Sequence, residues 1–393
     1  SFGFHQPPGK LEEEEEEENL LPSELLHKME LLDWVRADPL QAADPAAWTV
    51  VHRDDAFDVR EALPALAPLY PFARENGWDH GGELTLWARE HMDAPVVLVC
   101  LYLVFIFGVQ RAMRGRAKAY DLRRAQIVWN AMLSAFSWWG MFRTVPLLVA
   151  LVTAPPRGGE GAGGGGAGGG GGGGEQRGGF FQGFFQSYCG DPSRYGEKGA
   201  AALMMGMFIF SKVPELGDTV FIVLQKRKLL FLQWYHHITV LLYTWHSYAT
   251  RNSAGIWFIS MNYTVHAVMY MYFAIMGVSG LQKDVALRDL KAGSPEQTLA
   301  LQSSLRLRES VLKWAPLVTV MQISQMFVGV AIMVLIALQS ETIGLAGEGA
   351  VTRRCYVGRA SFLAGLSMYF SYFVLFVYFA VDRYCCGTKK KVD

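Results

Sequence analysis

The chain has 393 residues, 51% hydrophobic and only 18% charged, with 36 basic and 36 acidic side chains that cancel. A soluble domain usually carries about 25% charged residues; here the apolar residues also lie in long runs, which excludes an ordinary soluble globular protein. Five cysteines and no CxxC pair exclude a disulfide scaffold and carry no zinc signature, and nothing in the charge points to nucleic acid.

In chain order, residues 1–90 read as a disordered polar extension, with prolines and the run Glu12 to Glu18 as a solvated tail. Residues 91–384 then carry seven apolar segments, each near the roughly 20 residues a spanning helix needs. They fall near Ala94–Gln110, Gln126–Thr153, Gly199–Leu224, Leu229–Trp245, Ala254–Val278, Trp314–Leu338 and Ala360–Val381. Between the second and third lies a glycine-rich insert, residues 155–179, which has nothing to bury and reads as a flexible loop. The polar stretch Leu281 to Lys313 has room for a short amphipathic helix, and residues 385–393 form a tail. The fold class expected is an all-α integral membrane protein of seven transmembrane helices.

Charge sets the expected orientation. Arg111, Arg114, Arg116, Lys118, Arg123 and Arg124 join the first two segments, and Lys226, Arg227 and Lys228 join the third to the fourth. Lys283, Arg288, Lys291, Arg306, Arg308 and Lys313 follow the fifth. The positive-inside rule puts these loops and the C-terminus in the cytosol, and seven spans put the N-terminus in the lumen. Lysines three and four from the end, within Lys389 to Lys391, match a dilysine retrieval signal and predict the endoplasmic-reticulum membrane. Cys189 and Cys355 then fall in loops on the oxidising side and are expected to form a disulfide. Cys385 and Cys386 stay reduced or become acylated.

Ionisable groups inside a membrane are functional candidates by default, and here they cluster. Lys212, Glu215, Asp218 and Thr219 share one stripe of the third segment. Gln233, His236 and His237 lie on the fourth. Asn262, His266 and Tyr270 follow at four-residue spacing on the fifth, and Thr319, Gln322 and Gln325 at helical spacing on the sixth. His236 comes eight residues after Lys228, roughly 12 Å below the basic boundary at 1.5 Å per residue. The same arithmetic puts the other three sets at similar depth, in one polar pocket open to the cytosol. Imidazole serves as a general base or as an acyl-accepting nucleophile. A thiol mechanism is disfavoured, because the intramembrane cysteine, Cys100, lies on the first segment. Arg143, near the lumenal end of the second, reads as a snorkelling structural residue.

Four runs resemble the boxes of the ELO family of fatty-acid elongases. Lys212-Val213-Pro214-Glu215-Leu216-Gly217-Asp218-Thr219 is similar to K-x-P-E-L-x-D-T, and Gln233-Trp234-Tyr235-His236-His237 to H-x-x-H-H. His266-Ala267-Val268-Met269-Tyr270 is similar to H-x-x-M-Y, and Thr319 to Gln325 to T-x-x-Q-x-x-Q. Gln233 replaces the first histidine of its box, as in some polyunsaturated-chain elongases. The text from Trp234 to Tyr243 is most similar to animal-type elongases of C12–C16 saturated and monounsaturated chains.

The resemblance implies that acyl-CoA and malonyl-CoA give 3-oxoacyl-CoA, carbon dioxide and CoA, with no cofactor beyond the substrates. Helices two to seven would enclose an acyl tunnel open to the cytosol, its closed end setting chain length. His236 would carry the acyl group as an acyl-imidazole, and His237 would orient the others. His266, with Asn262 and Gln322, would bind the reacting oxygen. Lys212 or the cluster of Lys226 and Lys228 would meet CoA phosphates, and Glu215, Asp218, Gln233, Tyr270 and Gln325 would line the substrate site. The expected partners are the lipid bilayer and the 3-oxoacyl-CoA reductase, dehydratase and enoyl-CoA reductase that finish the cycle, with a homodimer as one allowed assembly. Polyunsaturated C18–C20 acyl-CoA is the alternative substrate. A di-iron desaturase is disfavoured because three pocket histidines cannot hold two irons. A seven-helix receptor or transporter is disfavoured because the polar groups converge from helices three to six.

Overall fold

The computed structural model describes residues 57–153, 180–289, 295–340, 343 and 355–386. The glutamate run, the glycine-rich insert and Lys389 to Lys391 lie outside the described residues. Short helices α1 (Val59–Ala62), α2 (Ala73–Asn76) and α3 (Gly81–Glu90) precede the long helices α4 (Ala94–Arg114) and α5 (Arg123–Thr153). Then come α6 (Phe180–Cys189), α7 (Ser193–Gly196), α8 (Gly199–Glu215), α9 (Gly217–Leu224) and α10 (Phe231–Ala249). The long α11 (Gly255–Asp289), α12 (Pro295–Leu312), α13 (Ala315–Gln339) and α14 (Arg359–Val381) complete the bundle. Among the described residues there is no β-strand.

Among the described residues, five stretches are long and apolar enough to cross a membrane: Ala94–Arg114, Arg123–Thr153, Gly255–Val285, Leu301–Gln339 and Arg359–Cys385. The chain is therefore a multi-pass membrane protein. Helix α4 exposes Leu101 and Val104 at 61% and 74%, the apolar outer face that lipid requires. It closes with Arg111 and Arg114 in its last turn, where cations suit the helix dipole.

The other two expected spans are not among the five, for physical reasons. Helix α8 has 17 residues and stops at Glu215, next to Pro214, whose ring removes a backbone donor and crowds the preceding turn. The chain restarts as α9 at Gly217, with Asp218 in its first turn, the favourable end of the dipole for a carboxylate. Helix α10 has 19 residues, but Gln233, His236, His237 and His246 dilute its apolar run.

Helices α5 and α11 pack along most of their length. Gly140 permits this: a Cβ there would stand 2.3 Å from the ring of Tyr263. Ser134 Oγ donates to the Ala267 carbonyl at 2.9 Å across the same seam. At one end of the bundle Cys189 and Cys355 are bonded, and Tyr356 N donates to the Cys189 carbonyl at 3.2 Å.

The reading of residues 1–90 as a polar extension fails over 57–90. Tyr70, Glu75, Thr85 and Ala88 are buried. Arg143 does not snorkel: its Nε donates to Glu75 at 2.7 Å, and its Nη1 to the Leu69 carbonyl at 2.7 Å. Trp245 Nε1 donates to the Ala88 carbonyl at 2.8 Å. These partners lie far away in the chain, so local composition does not reveal them.

Candidate active site

Helices α8 to α11 and α13 bring the polar stripes together. Lys212 and Glu215 are 2% and 4% exposed, one turn apart, and Lys212 Nζ donates to Glu215 Oε1 at 2.8 Å. The same ammonium donates to Asn262 Oδ1 at 3.0 Å. An ammonium only donates, so the Asn262 oxygen faces Lys212 and its amide nitrogen faces His266. That nitrogen lies 3.2 Å from His266 Nε2. The contact makes Nε2 the acceptor and leaves the ring proton on Nδ1, 3.9 Å from Glu215 Oε2. One buried lysine thus sets an amide orientation, and the amide sets a histidine tautomer.

Two cavities meet at this network. A vestibule of about 860 Å³ lies within the roughly 300–1,000 Å³ typical of sites that bury drug-sized ligands. Its mouth carries Arg123, Arg227, Lys228, Lys283 and Arg308, and its floor His237, His266 and Gln322. Gln322 Nε2 donates to Met269 Sδ at 3.2 Å. Beyond it a narrow, mostly apolar chamber of about 70 Å³ follows α10 from His236 past Val240 and Tyr243 to Arg251. Met205, Met326 and Met368 line that chamber, and flexible thioethers can turn to admit a chain. His236, Asn262, Gln325 and Met326 belong to both walls.

His236 sits at the junction with its ring 4.8 Å from Tyr372 and 5.7 Å from His237. Its Nδ1 is buried without a hydrogen-bond partner, so no bond at that atom locks the ring. The Tyr372 hydroxyl donates to the His236 carbonyl at 3.2 Å and also bonds Thr239. Asp218 is held from both sides, by Trp129 Nε1 and by the Tyr270 hydroxyl, each at 2.7 Å. Tyr102 donates to Thr219 at 2.7 Å, tying α4 to α9.

Expected roles change for Lys212, Glu215 and Lys226, which line neither cavity, and for His266, whose Nε2 accepts from Asn262 and so has no proton for a reacting oxygen. Lys212 does not face the vestibule; it is spent on Glu215 and Asn262, so both charges of this pair act through Asn262 and His266. Lys226 is exposed, takes a left-handed φ of 54° and bonds the Arg116 carbonyl, away from the cavity lining. Arg227 and Lys228 line the mouth instead. Gln233, Asp218, Tyr270 and Gln325 line the vestibule. The supports missed from sequence are Tyr372, Trp129 and Tyr102, because an aromatic residue in an apolar run looks like any core residue. Among the described residues no group of three or more His, Cys, Asp or Glu side chains is placed to hold a metal ion.

The family model described as ELO, the GNS1/SUR4 family, matches residues 87–289 and 299–392. Fatty acid elongase 3 of Trypanosoma cruzi (strain CL Brener) is 33% identical over 296 residues, covering 75% of this chain and 85% of that protein. Very long chain fatty acid elongase 6 of Gallus gallus is 32% identical over 313 residues, covering 79% and 92%. Its namesake from Mus musculus is 32% identical over 310 residues, covering 78% and 91%. With four boxes converging on one junction and this match along most of its length, the chain belongs to the ELO family of membrane-bound fatty acid elongases.

Proposed function

We propose that the protein condenses a long-chain acyl-CoA with malonyl-CoA, through an acyl-imidazole on His236, to give 3-oxoacyl-CoA, carbon dioxide and CoA. The observation that carries this reading is the place of His236 on the wall shared by the basic vestibule and the apolar chamber. There a thioester would present its carbonyl to the ring, with CoA on one side and the acyl chain on the other.

A ring nitrogen attacks the carbonyl. The C–N bond forms as C–S breaks, and the CoA thiolate leaves with the proton of the other ring nitrogen. Malonyl-CoA loses carbon dioxide, and its enolate carbon attacks the acyl carbon as the C–N bond breaks. The released imidazole regains a proton from solvent in the vestibule. Asn262 has a second N–H beyond the one given to His266, and it supplies a neutral donor to the reacting oxygen. Gln322 and Gln325 are further donors. His266, with Nε2 accepting, holds the Asn262 amide, and Glu215 faces its Nδ1. His237, edge-on to His236, limits that ring's tilt. Arg227, Lys228 and Arg308 suit CoA phosphates, whereas Arg123 is already paired with Asp121 and Asp284.

The chamber is the acyl tunnel, and the vestibule is its entrance and holds CoA. We place α8–α9 and α10 across the bilayer with the five longer stretches, giving seven spans. The vestibule then opens to the cytosol and the disulfide faces the endoplasmic-reticulum lumen, whose redox poise suits it. The N-terminus is lumenal, the C-terminus cytosolic, and the reductases and dehydratase of the cycle are the partners.

The preferred substrates are C12–C16 saturated and monounsaturated acyl-CoA, which the likeness around Trp234 to Tyr243 supports. Gln233, in the vestibule wall, favours polyunsaturated C18–C20 chains as the second reading. The test is a microsomal assay with radiolabelled malonyl-CoA and either palmitoyl-CoA or a polyunsaturated C18 acyl-CoA. Label in a saturated C18 product is expected. Label confined to a polyunsaturated C20 product transfers the substrate to the second reading. His236→Ala with full turnover removes the acyl-imidazole.

A further inference from the structure

The far end of the chamber is built by a segment that begins before the match to the family model. Helix α3 spans residues 81–90, whereas that match starts at residue 87. Its Thr85 is 5% exposed and lines the same chamber as His236. The helix is seated by backbone. Gly81 N donates to the Glu197 carbonyl at 3.0 Å, and Gly199 N donates to the Trp78 carbonyl at 2.7 Å just ahead of it. A Cβ at Gly81 would stand 2.5 Å from the Gly196 carbonyl oxygen, so only glycine allows this approach. A Cβ at Gly206 would stand 2.6 Å from Leu84, and Trp245 bonds the Ala88 carbonyl. Beside Thr85 the wall turns charged, with Arg251 paired to Glu197 at 2.9 Å.

The lining therefore changes character along its length. Near His236 it is Val240, Phe258 and Met326; at the end it is Thr85, Glu197 and Arg251. His236 and Arg251 are 15 residues apart on one helix and its cap, roughly 22 Å at 1.5 Å per residue. A membrane acyl chain fills one leaflet, about half of a 30 Å hydrocarbon core, so the chamber is long enough to take a long-chain acyl group. A methylene buried against apolar wall is stabilised by leaving water, and one pushed against the ion pair is not.

We propose that α3 is the end plate of the acyl chamber and that Thr85 is a chain-length-determining residue. The inference rests on the elongase reading and deepens it. A larger side chain at 85 shortens the longest chain accepted, and a smaller one lengthens it.

The experiment gives full-length wild type, Thr85→Trp and Thr85→Ala, in microsomes, a series of saturated acyl-CoA substrates and labelled malonyl-CoA. The readout is the ratio of rates on the longest and shortest accepted chains. Thr85→Trp is expected to lower that ratio at least tenfold, about the worth of two buried methylenes, and Thr85→Ala to raise it. If Thr85→Trp does not accumulate, the direction of the Thr85→Ala shift decides. An active wild type with the same ratio in both variants overturns the inference and leaves the elongase reading standing. A folded wild type that incorporates no label from any chain overturns the elongase reading, and the inference falls with it.

Discussion

Among the described residues two ion pairs are fully buried, and they do different work. Arg143 and Glu75 are bonded at 2.7 Å, with Trp139 on Glu75 at 2.7 Å and the Tyr70 hydroxyl donating to the Arg143 carbonyl at 3.0 Å. Each of these partners belongs to α5 or to the segment that packs on it, and the network ends there. It clamps residues 57–90 to the bundle. Lys212 and Glu215 are as deeply buried, but their other contacts lead outward, through Asn262 to a cavity wall and towards His266. Burial of a charge says only that it is paired. What its partners touch decides whether the pair holds the fold or shapes the chemistry.

Breaking the two pairs separates these roles. Lys212→Met leaves Glu215 uncompensated and frees the Asn262 amide to turn. Turnover with labelled malonyl-CoA should fall about 100-fold, the scale set by small misplacements at a reacting centre. Arg143→Met strands Glu75 and should cost about 3–5 kcal/mol of stability, as other broken buried pairs do, seen as a lower midpoint in detergent. The enzyme that remains folded should keep its turnover per molecule. Equal turnover losses in both variants would erase the distinction.

The two ends of the bundle sharpen the contrast on a smaller scale. Cys355→Ser opens a link between residues 166 apart and should lower stability by about 2–5 kcal/mol, again without a loss of turnover per folded molecule. The double variant Arg227→Ala/Lys228→Ala should raise the KM for acyl-CoA about fivefold at low salt, as exposed charges contribute roughly 1 kcal/mol or less each. That effect should shrink as ionic strength rises. A KM that ignores salt would move the CoA phosphates elsewhere.

Much of the site was legible because a helix repeats every 3.6 residues. Asn262, His266 and Tyr270 had to share a face, and so did Lys212, Glu215 and Thr219. Depth counted from the basic loops put these faces together. What was not legible was direction. Lys212 looked like a phosphate ligand from its charge, yet it lies behind Asn262. Tyr372 and Trp129 brace His236 and Asp218 from α14 and α5, where nothing distinguishes them from lipid-facing aromatics. Residues 57–90 looked like a tail because their prolines and charges are those of a tail; Glu75 and Thr85 become core only through Arg143 and the chamber.

The membrane environment, the long apolar helices and the four polar stripes could be read from the amino-acid sequence, since apolar run length and helical period are local properties of the chain. Which group meets which came from packing: the Asn262 orientation, the His266 tautomer, the shared wall at His236 and the place of Thr85 at the end of the chamber. Those outcomes depend on contacts between segments tens to hundreds of residues apart. A buried donor or acceptor takes whichever partner the packing brings within about 3 Å, and no local pattern records that choice.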